Sequence, residues 1–129
     1  MVRMSREIVI VDDHEAVRDA LLGMVEEAGY AAVAFSSAEA ALARIAEHRP
    51  ALVLLDMMMP EIDGADFLAR LARRQDGPGI PVIVVSALGH LLHGLRQTDV
   101  HAAGVAEVLA KPVSYTALID AVHRVIGPP

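Results

Sequence analysis

The chain has 129 residues, a net charge of −6 and 54% hydrophobic residues. That length and composition fit one compact domain with its own core and exclude a disordered chain. The acidic balance argues against a nucleic-acid surface, and the absence of cysteine excludes disulfides, thiolate metal sites and thiol catalysis while leaving the compartment open.

In chain order, "MVRMSREIVIVDD" carries too short an apolar run for a signal peptide or a membrane span, so a cytoplasmic protein is expected. "IVIV" (8–11) reads as a first strand ending at Asp12 and Asp13. Residues 14–28 follow with helical period, Val17, Leu21, Leu22 and Val25 on one face. "AAVAF" (31–35) is a second strand, and Ser37 is placed to cap a helix over 38–47 with Ala38, Ala41, Leu42 and Ile45 inward. "ALVLL" (51–55) is a third strand running straight into Asp56, and "GADFLARLARRQ" (64–75) sets Phe67, Leu68 and Leu71 on one helical face. "PVIVV" (81–85) is a fourth strand followed by Ser86, and a fourth helix is expected within 88–104. "AEVLA" (106–110) is a fifth strand followed by Lys111, and Ser114 caps a last helix over 115–126 with Leu118, Ala121, Val122 and Val125 recurring. Five strands alternating with five helices predict an α/β domain with a parallel sheet. Several strands are apolar at nearly every position, as strands covered on both faces are. The whole chain, 1–129, reads as a single domain with a folded core over 7–126, and residues 127–129 could start a linker.

In open parallel sheets, ligands bind beyond the carboxyl ends of the strands. Asp12, Asp13, Asp56, Ser86 and Lys111 each stand at such an end and so share one rim. Crowded carboxylates repel one another and favour a cation among them. A hard divalent ion with oxygen ligands, such as Mg²⁺, suits that set. With Lys111 as a second cation and Ser86 as a hydroxyl, the set suits a phosphoryl group, a carboxylate serving as nucleophile.

Together these segments resemble the receiver domain of two-component response regulators, over essentially the whole chain. "IVIVDDHE" resembles the family's acidic pair after strand 1, and "LLDMMMPEIDG" its phosphoacceptor segment, with Pro60 four and Gly64 eight residues after Asp56. "VIVVSA" is similar to the Ser/Thr-Ala segment and "LAKP" to the Lys-Pro segment. The resemblance implies a doubly wound, flavodoxin-like (CheY-like) five-stranded sheet of order 2-1-3-4-5. It implies that Asp56 accepts a phosphoryl group from a phosphohistidine on a sensor histidine kinase or a histidine phosphotransfer protein, and that the domain catalyses only its own phosphorylation and dephosphorylation. Carried over by position, Asp13, Asp56 and the Met58 carbonyl would bind Mg²⁺ directly, and Asp12 through water. The backbone at Met58 and Ala87 would hold phosphoryl oxygens, Lys111 would pair with another, and Ser86 would turn toward the group. The family commonly has a cis bond before the proline that matches Pro112.

Each residue also has a plainer reading. Asp12, Asp13 or His14 could cap the first helix, Ser86 could be a turn residue, Lys111 a solvated surface lysine, and Met57, Met58 and Met59 gap fillers. Asp56 is hardest to dismiss, because a carboxylate after a wholly apolar strand needs a partner.

Two departures bear on switching. Where the family has a tyrosine or phenylalanine that swings inward on phosphorylation, this chain has Val108, and after Lys-Pro it has Val113. Valine has no ring to rotate, so any change of the surface made by the fourth helix, the fifth strand and the last helix is expected to work without the aromatic readout. The stretch 88–104 is also longer than the family pattern implies. Gly89 and Gly94 weaken a helix there, while Leu88, Leu91, Leu92 and Leu95 make it apolar. A displaced, lengthened or partly unwound helix is expected, its leucines packed on the sheet or exposed to a partner or second copy. His90, His93 and His101 read as solvated residues rather than metal ligands, since no carboxylate or cysteine accompanies them at ligand spacing. Met58 and Leu88 flank the path of a hydrolytic water and cannot orient it, which predicts a long-lived acyl phosphate.

Three arrangements stay open: a stand-alone receiver, a domain of a longer regulator with an output domain, and the receiver of a hybrid kinase. Homodimerisation through the surface around the fifth strand is a further option. Direct nucleic-acid or membrane contact is not expected. The alternatives in function are a pseudo-receiver acting as a protein-interaction module, and an aspartyl-phosphate hydrolase. The second generally needs an aspartate two residues after the nucleophile, where this chain has Met58.

Overall fold

The computed structural model describes residues 3–4, 6–56, 64–73, 79–86 and 104–129. In chain order the elements are β1 (Arg3–Met4), β2 (Ile8–Val11), α1 (Glu15–Glu27), β3 (Ala32–Phe35), α2 (Ala38–Glu47), β4 (His48–Arg49), β5 (Leu52–Leu55), α3 (Gly64–Ala72), β6 (Val82–Ser86), β7 (Val105–Ala110) and α4 (Tyr115–Ile126). Five strands form one parallel sheet in the order β3-β2-β5-β6-β7. Counted among the five long strands, this is the expected 2-1-3-4-5. The helix expected within 88–104 lies outside the described residues, as do the expectations for Met57 to Pro60, Ala87, Leu88, Gly89, His90, His93 and His101. Among the described residues no helix is long and apolar enough to cross a membrane.

The central strands are buried at every position because side chains alternate between two covered faces. Val9, Val11, Val53, Leu55, Val82 and Val84 meet α2 and α3 through Ala41, Ile45, Phe67 and Leu71. Ile8, Ile10, Leu52, Leu54, Ile83 and Val85 meet α1 and α4 through Leu21, Val25, Leu118 and Val122. The edge strand β7 instead alternates between half-buried and exposed residues. The predicted caps are in place: Ser37 Oγ accepts from Ala40 N at 3.3 Å, and Ser114 Oγ from Ala117 N at 3.1 Å.

Register places the functional rim. β2 and β5 run level, Val11 opposite Leu55, so the next residue of each, Asp12 and Asp56, emerges beside the other. Ser86 pairs with Ala110, which brings Lys111 to the same edge. β7 begins one residue earlier than predicted and gains an extra residue at Ala106, where the register shifts between Val82 and Ile83. The small parallel pair β1–β4 was not anticipated. Its two-residue strands, Arg3–Met4 and His48–Arg49, are too short to carry a periodic signal.

Residues 127–129 run back along the body. Tyr30 donates its hydroxyl to the Gly127 carbonyl at 2.6 Å, and Arg6 donates to the Pro128 carbonyl at 3.0 Å. Gly127, at φ +77°, closes α4 in a conformation that other residues rarely adopt. Burial pushes the Tyr30 phenol above its ordinary value of 10.0, with nearby Arg6 partly opposing. The folded chain therefore holds that proton more tightly than the unfolded chain. This contribution to stability is complete below about pH 10 and is lost as pH rises through the folded value. Tyr30→Phe, followed by urea unfolding, should cost about 1 kcal/mol at neutral pH and flatten the alkaline decline.

Candidate functional site

The rim at the carboxyl ends of β2, β5, β6 and β7 gathers the residues singled out in the sequence. Asp12 is 1% exposed and fully engaged. Its Oδ1 accepts the His14 amide at 2.9 Å, its Oδ2 accepts Lys111 Nζ at 2.8 Å, and its carbonyl accepts Arg18 at 3.1 Å. Asp12 does not cap α1; its carboxylate accepts the amide of the N-cap residue His14, which shapes the turn into the helix. His14 is the N-cap of α1 by position but makes no side-chain cap bond.

Asp56 is 4% exposed, and its amide donates to the Val11 carbonyl at 2.9 Å, which locks it to the end of β2. Lys111 Nζ lies 3.7 Å from Asp56 Oδ2, so the ammonium stands between two buried carboxylates and is no solvated surface lysine. The Lys111 amide donates to the Ser86 carbonyl at 3.0 Å, and the Lys111–Pro112 bond is cis. Ser86 is wholly buried as the last residue of β6. Val108 pairs with Val84, on the sheet face that also carries Ser86, and is 42% exposed.

Asp13 differs. Its Oδ1 is buried and accepts no hydrogen bond, alone in this among the described residues. Buried carboxylate oxygens normally have partners, so this one marks room for a further positive group. Ligand atoms of Asp12, Asp13, His14 and Asp56 all lie within 4.8 Å of one another. Like charges 4 Å apart repel by about 4 kcal/mol at an effective dielectric near 20, and one ammonium does not balance three carboxylates. The donor set therefore fits a hard divalent cation. His14 reads in the sequence only as a possible cap, a position it does occupy; that a ring nitrogen also lies near the carboxylates is visible only in the fold.

An apolar cleft of about 510 Å³ adjoins the site, walled by Val17, Leu21 and Met24 of α1 and by Lys111, Pro112 and Val113.

The response regulator receiver domain profile matches residues 8–123, which span every site residue above. The chain belongs to the response regulator receiver domain family. The receiver is 35% identical to response regulator protein FleR of Pseudomonas aeruginosa over 121 residues, covering 94% of this chain and 24% of FleR. It is 30% identical to the phosphate regulon transcriptional regulatory protein PhoB of Escherichia coli over 128 residues, 97% of this chain and 55% of PhoB. The receiver thus spans about a quarter to just over half the length of these curated relatives. A sensor protein from Polaromonas sp. JS666 superposes with a TM-score of 0.84 at 27% identity, covering 93% of this chain and 94% of that one. The receiver domain of a signal transduction histidine kinase from Syntrophus aciditrophicus gives 0.76 at 28% identity, covering 95% and 90%.

Removing the ammonium of this receiver leaves Asp12 and Asp56 buried without their shared cation. Lys111→Met should lower stability by about 3–5 kcal/mol in urea unfolding without divalent ions, and added Mg²⁺ should restore part of it.

Proposed function

We propose that this receiver is the phosphoacceptor domain of a two-component or phosphorelay system, with Asp56 as the residue phosphorylated. The observation that carries the reading is the placing of Lys111 between buried Asp12 and Asp56, beside the unpartnered Oδ1 of Asp13. The Asp56 backbone is held by the Val11 carbonyl, and its buried carboxylate lies 3.7 Å from Lys111 Nζ. In the transfer, a carboxylate oxygen of Asp56 forms a bond to phosphorus as the bond from phosphorus to a phosphohistidine nitrogen breaks. The electron pair returns to the imidazole, which takes a proton from water. Lys111 pairs with a phosphoryl oxygen, and the Ser86 hydroxyl turns toward another. Asp13, Asp56 and the Met58 carbonyl would hold Mg²⁺, with Asp12 through water, and the ion would neutralise phosphoryl oxygens. Backbone groups at Met58 and Ala87, both outside the described residues, would complete the phosphate cradle. The domain catalyses only its own phosphorylation and dephosphorylation.

The donor is a histidine kinase or histidine phosphotransfer protein, working with the receiver in the cytoplasm. The apolar cleft between α1 and Lys111–Val113 supports this partner, since it offers a docking surface next to the acceptor. The chain acts as a single domain, and the bonds from Tyr30 and Arg6 to Gly127 and Pro128 support a folded body that extends past residue 126. Switching proceeds without an inward-turning aromatic ring: Val108 stands on the face of the sheet that carries Ser86, where motion of the hydroxyl can be felt. An output domain, a hybrid kinase or a second copy of this chain would read that change.

Incubation with Mg²⁺ and a small phosphodonor, followed by intact mass measurement, tests the reading. One added phosphoryl group is expected, absent in Asp56→Asn. Turnover of phosphate esters would point instead to a hydrolase, and an unmodified chain to a pseudo-receiver. Met58→Gln should shorten the lifetime of the phosphorylated form, measured by mass against time, because an amide at that position can orient a hydrolytic water.

A further inference from the structure

We infer that His14 is an additional ligand of the acidic pocket and extends it from Mg²⁺ to first-row transition ions that favour imidazole, Zn²⁺ among them; this rests on the reading of the pocket as a divalent-cation site. His14 Nδ1 lies 3.6 Å from Asp13 Oδ1, the buried oxygen that accepts no hydrogen bond. That separation is too long for a hydrogen bond and close to the spacing of two neighbouring ligands on one ion. A ring nitrogen of His14 falls within 4.8 Å of ligand oxygens on Asp12, Asp13 and Asp56. With metal bonds of about 2.0–2.2 Å, ligands on one ion stand about 3 to a little over 4 Å apart, so small side-chain rotations close the set.

The backbone of His14 is already fixed. Its amide donates to Asp12 Oδ1 at 2.9 Å, and its carbonyl accepts the Arg18 amide at 2.8 Å. Its side chain is 74% exposed, so the ring can turn onto an ion without first breaking out of a packed core. Oxygen ligands serve Mg²⁺ well, and an imidazole adds little for it. Zn²⁺ gains from the nitrogen, and the order of intrinsic affinities favours it further. Asp13 gives the pocket its charge and His14 its softer donor, so the two residues set how strongly the site distinguishes the metals.

Calorimetric titration of the full chain with Zn²⁺ and with Mg²⁺, each in competition with the other, tests this, since only Zn²⁺ displaced by Mg²⁺ occupies the pocket. His14→Phe should weaken that Zn²⁺ roughly tenfold and change Mg²⁺ affinity by less than about twofold. In the nitrogen spectrum of histidine-labelled protein, the His14 Nδ1 resonance should shift as Zn²⁺ fills the Mg²⁺-displaceable site, and Asp13→Asn should remove the shift. Equal changes for both metals, no change for either, or an unmoved Nδ1 resonance would overturn the inference. If Asp56 is still phosphorylated with Mg²⁺ in those cases, only the role of His14 fails. If Mg²⁺ does not bind at all, the cation-site reading fails with it.

Discussion

The structure turns on one register constraint: β2 and β5 end level, so their next residues, Asp12 and Asp56, leave the sheet side by side. Both are almost wholly buried. Burying two carboxylates side by side is costly unless a cation lies near them. Lys111, delivered by β7 at the far side of β6, is the cation the fold supplies. Everything else at the rim follows from that triad. The Ser86 carbonyl fixes the Lys111 backbone, the Asp12 carboxylate shapes the entry to α1, and Asp13 brings a further negative charge to the same corner.

Such a site is electrostatically incomplete by construction. The hydrophobic sheet beneath it, buried at every position of β2, β5 and β6, keeps the dielectric low and the groups in place. A crowded acidic corner costs the fold some stability and favours a cation among its carboxylates. The stability of the layers below, with Val and Leu side chains packed between two pairs of helices, is what lets the rim carry that imbalance. Membership of the receiver family and the chemistry of the pocket thus point the same way.

Much of this was legible in the chain. Apolar runs marked β2, β3, β5, β6 and β7 to within a residue at each end, because a strand covered on both faces needs apolar side chains throughout. Ser37 and Ser114 marked helix starts, because a hydroxyl there satisfies an otherwise free amide. The extra residue at Ala106 and the β1–β4 pair were not legible. A bulge depends on how two strands fit, and a two-residue strand has no period to detect. His14 does stand at the N-cap of α1, as its place before the helix suggested, but its nearness to the carboxylates is set by the fold.

The sequence alone determined the alternation of strands and helices, the identity of the polar residues at the strand ends, and hence the family. Those follow from local periodicity and from the cost of burying unpaired charge. Only the tertiary structure decided which carboxylate Lys111 bonds, that Asp13 keeps a buried oxygen without a hydrogen bond, and that Tyr30 ties down Gly127. Those outcomes depend on distances of a few tenths of an ångström between segments far apart in the chain. Such distances are set by register and packing, which no single segment encodes.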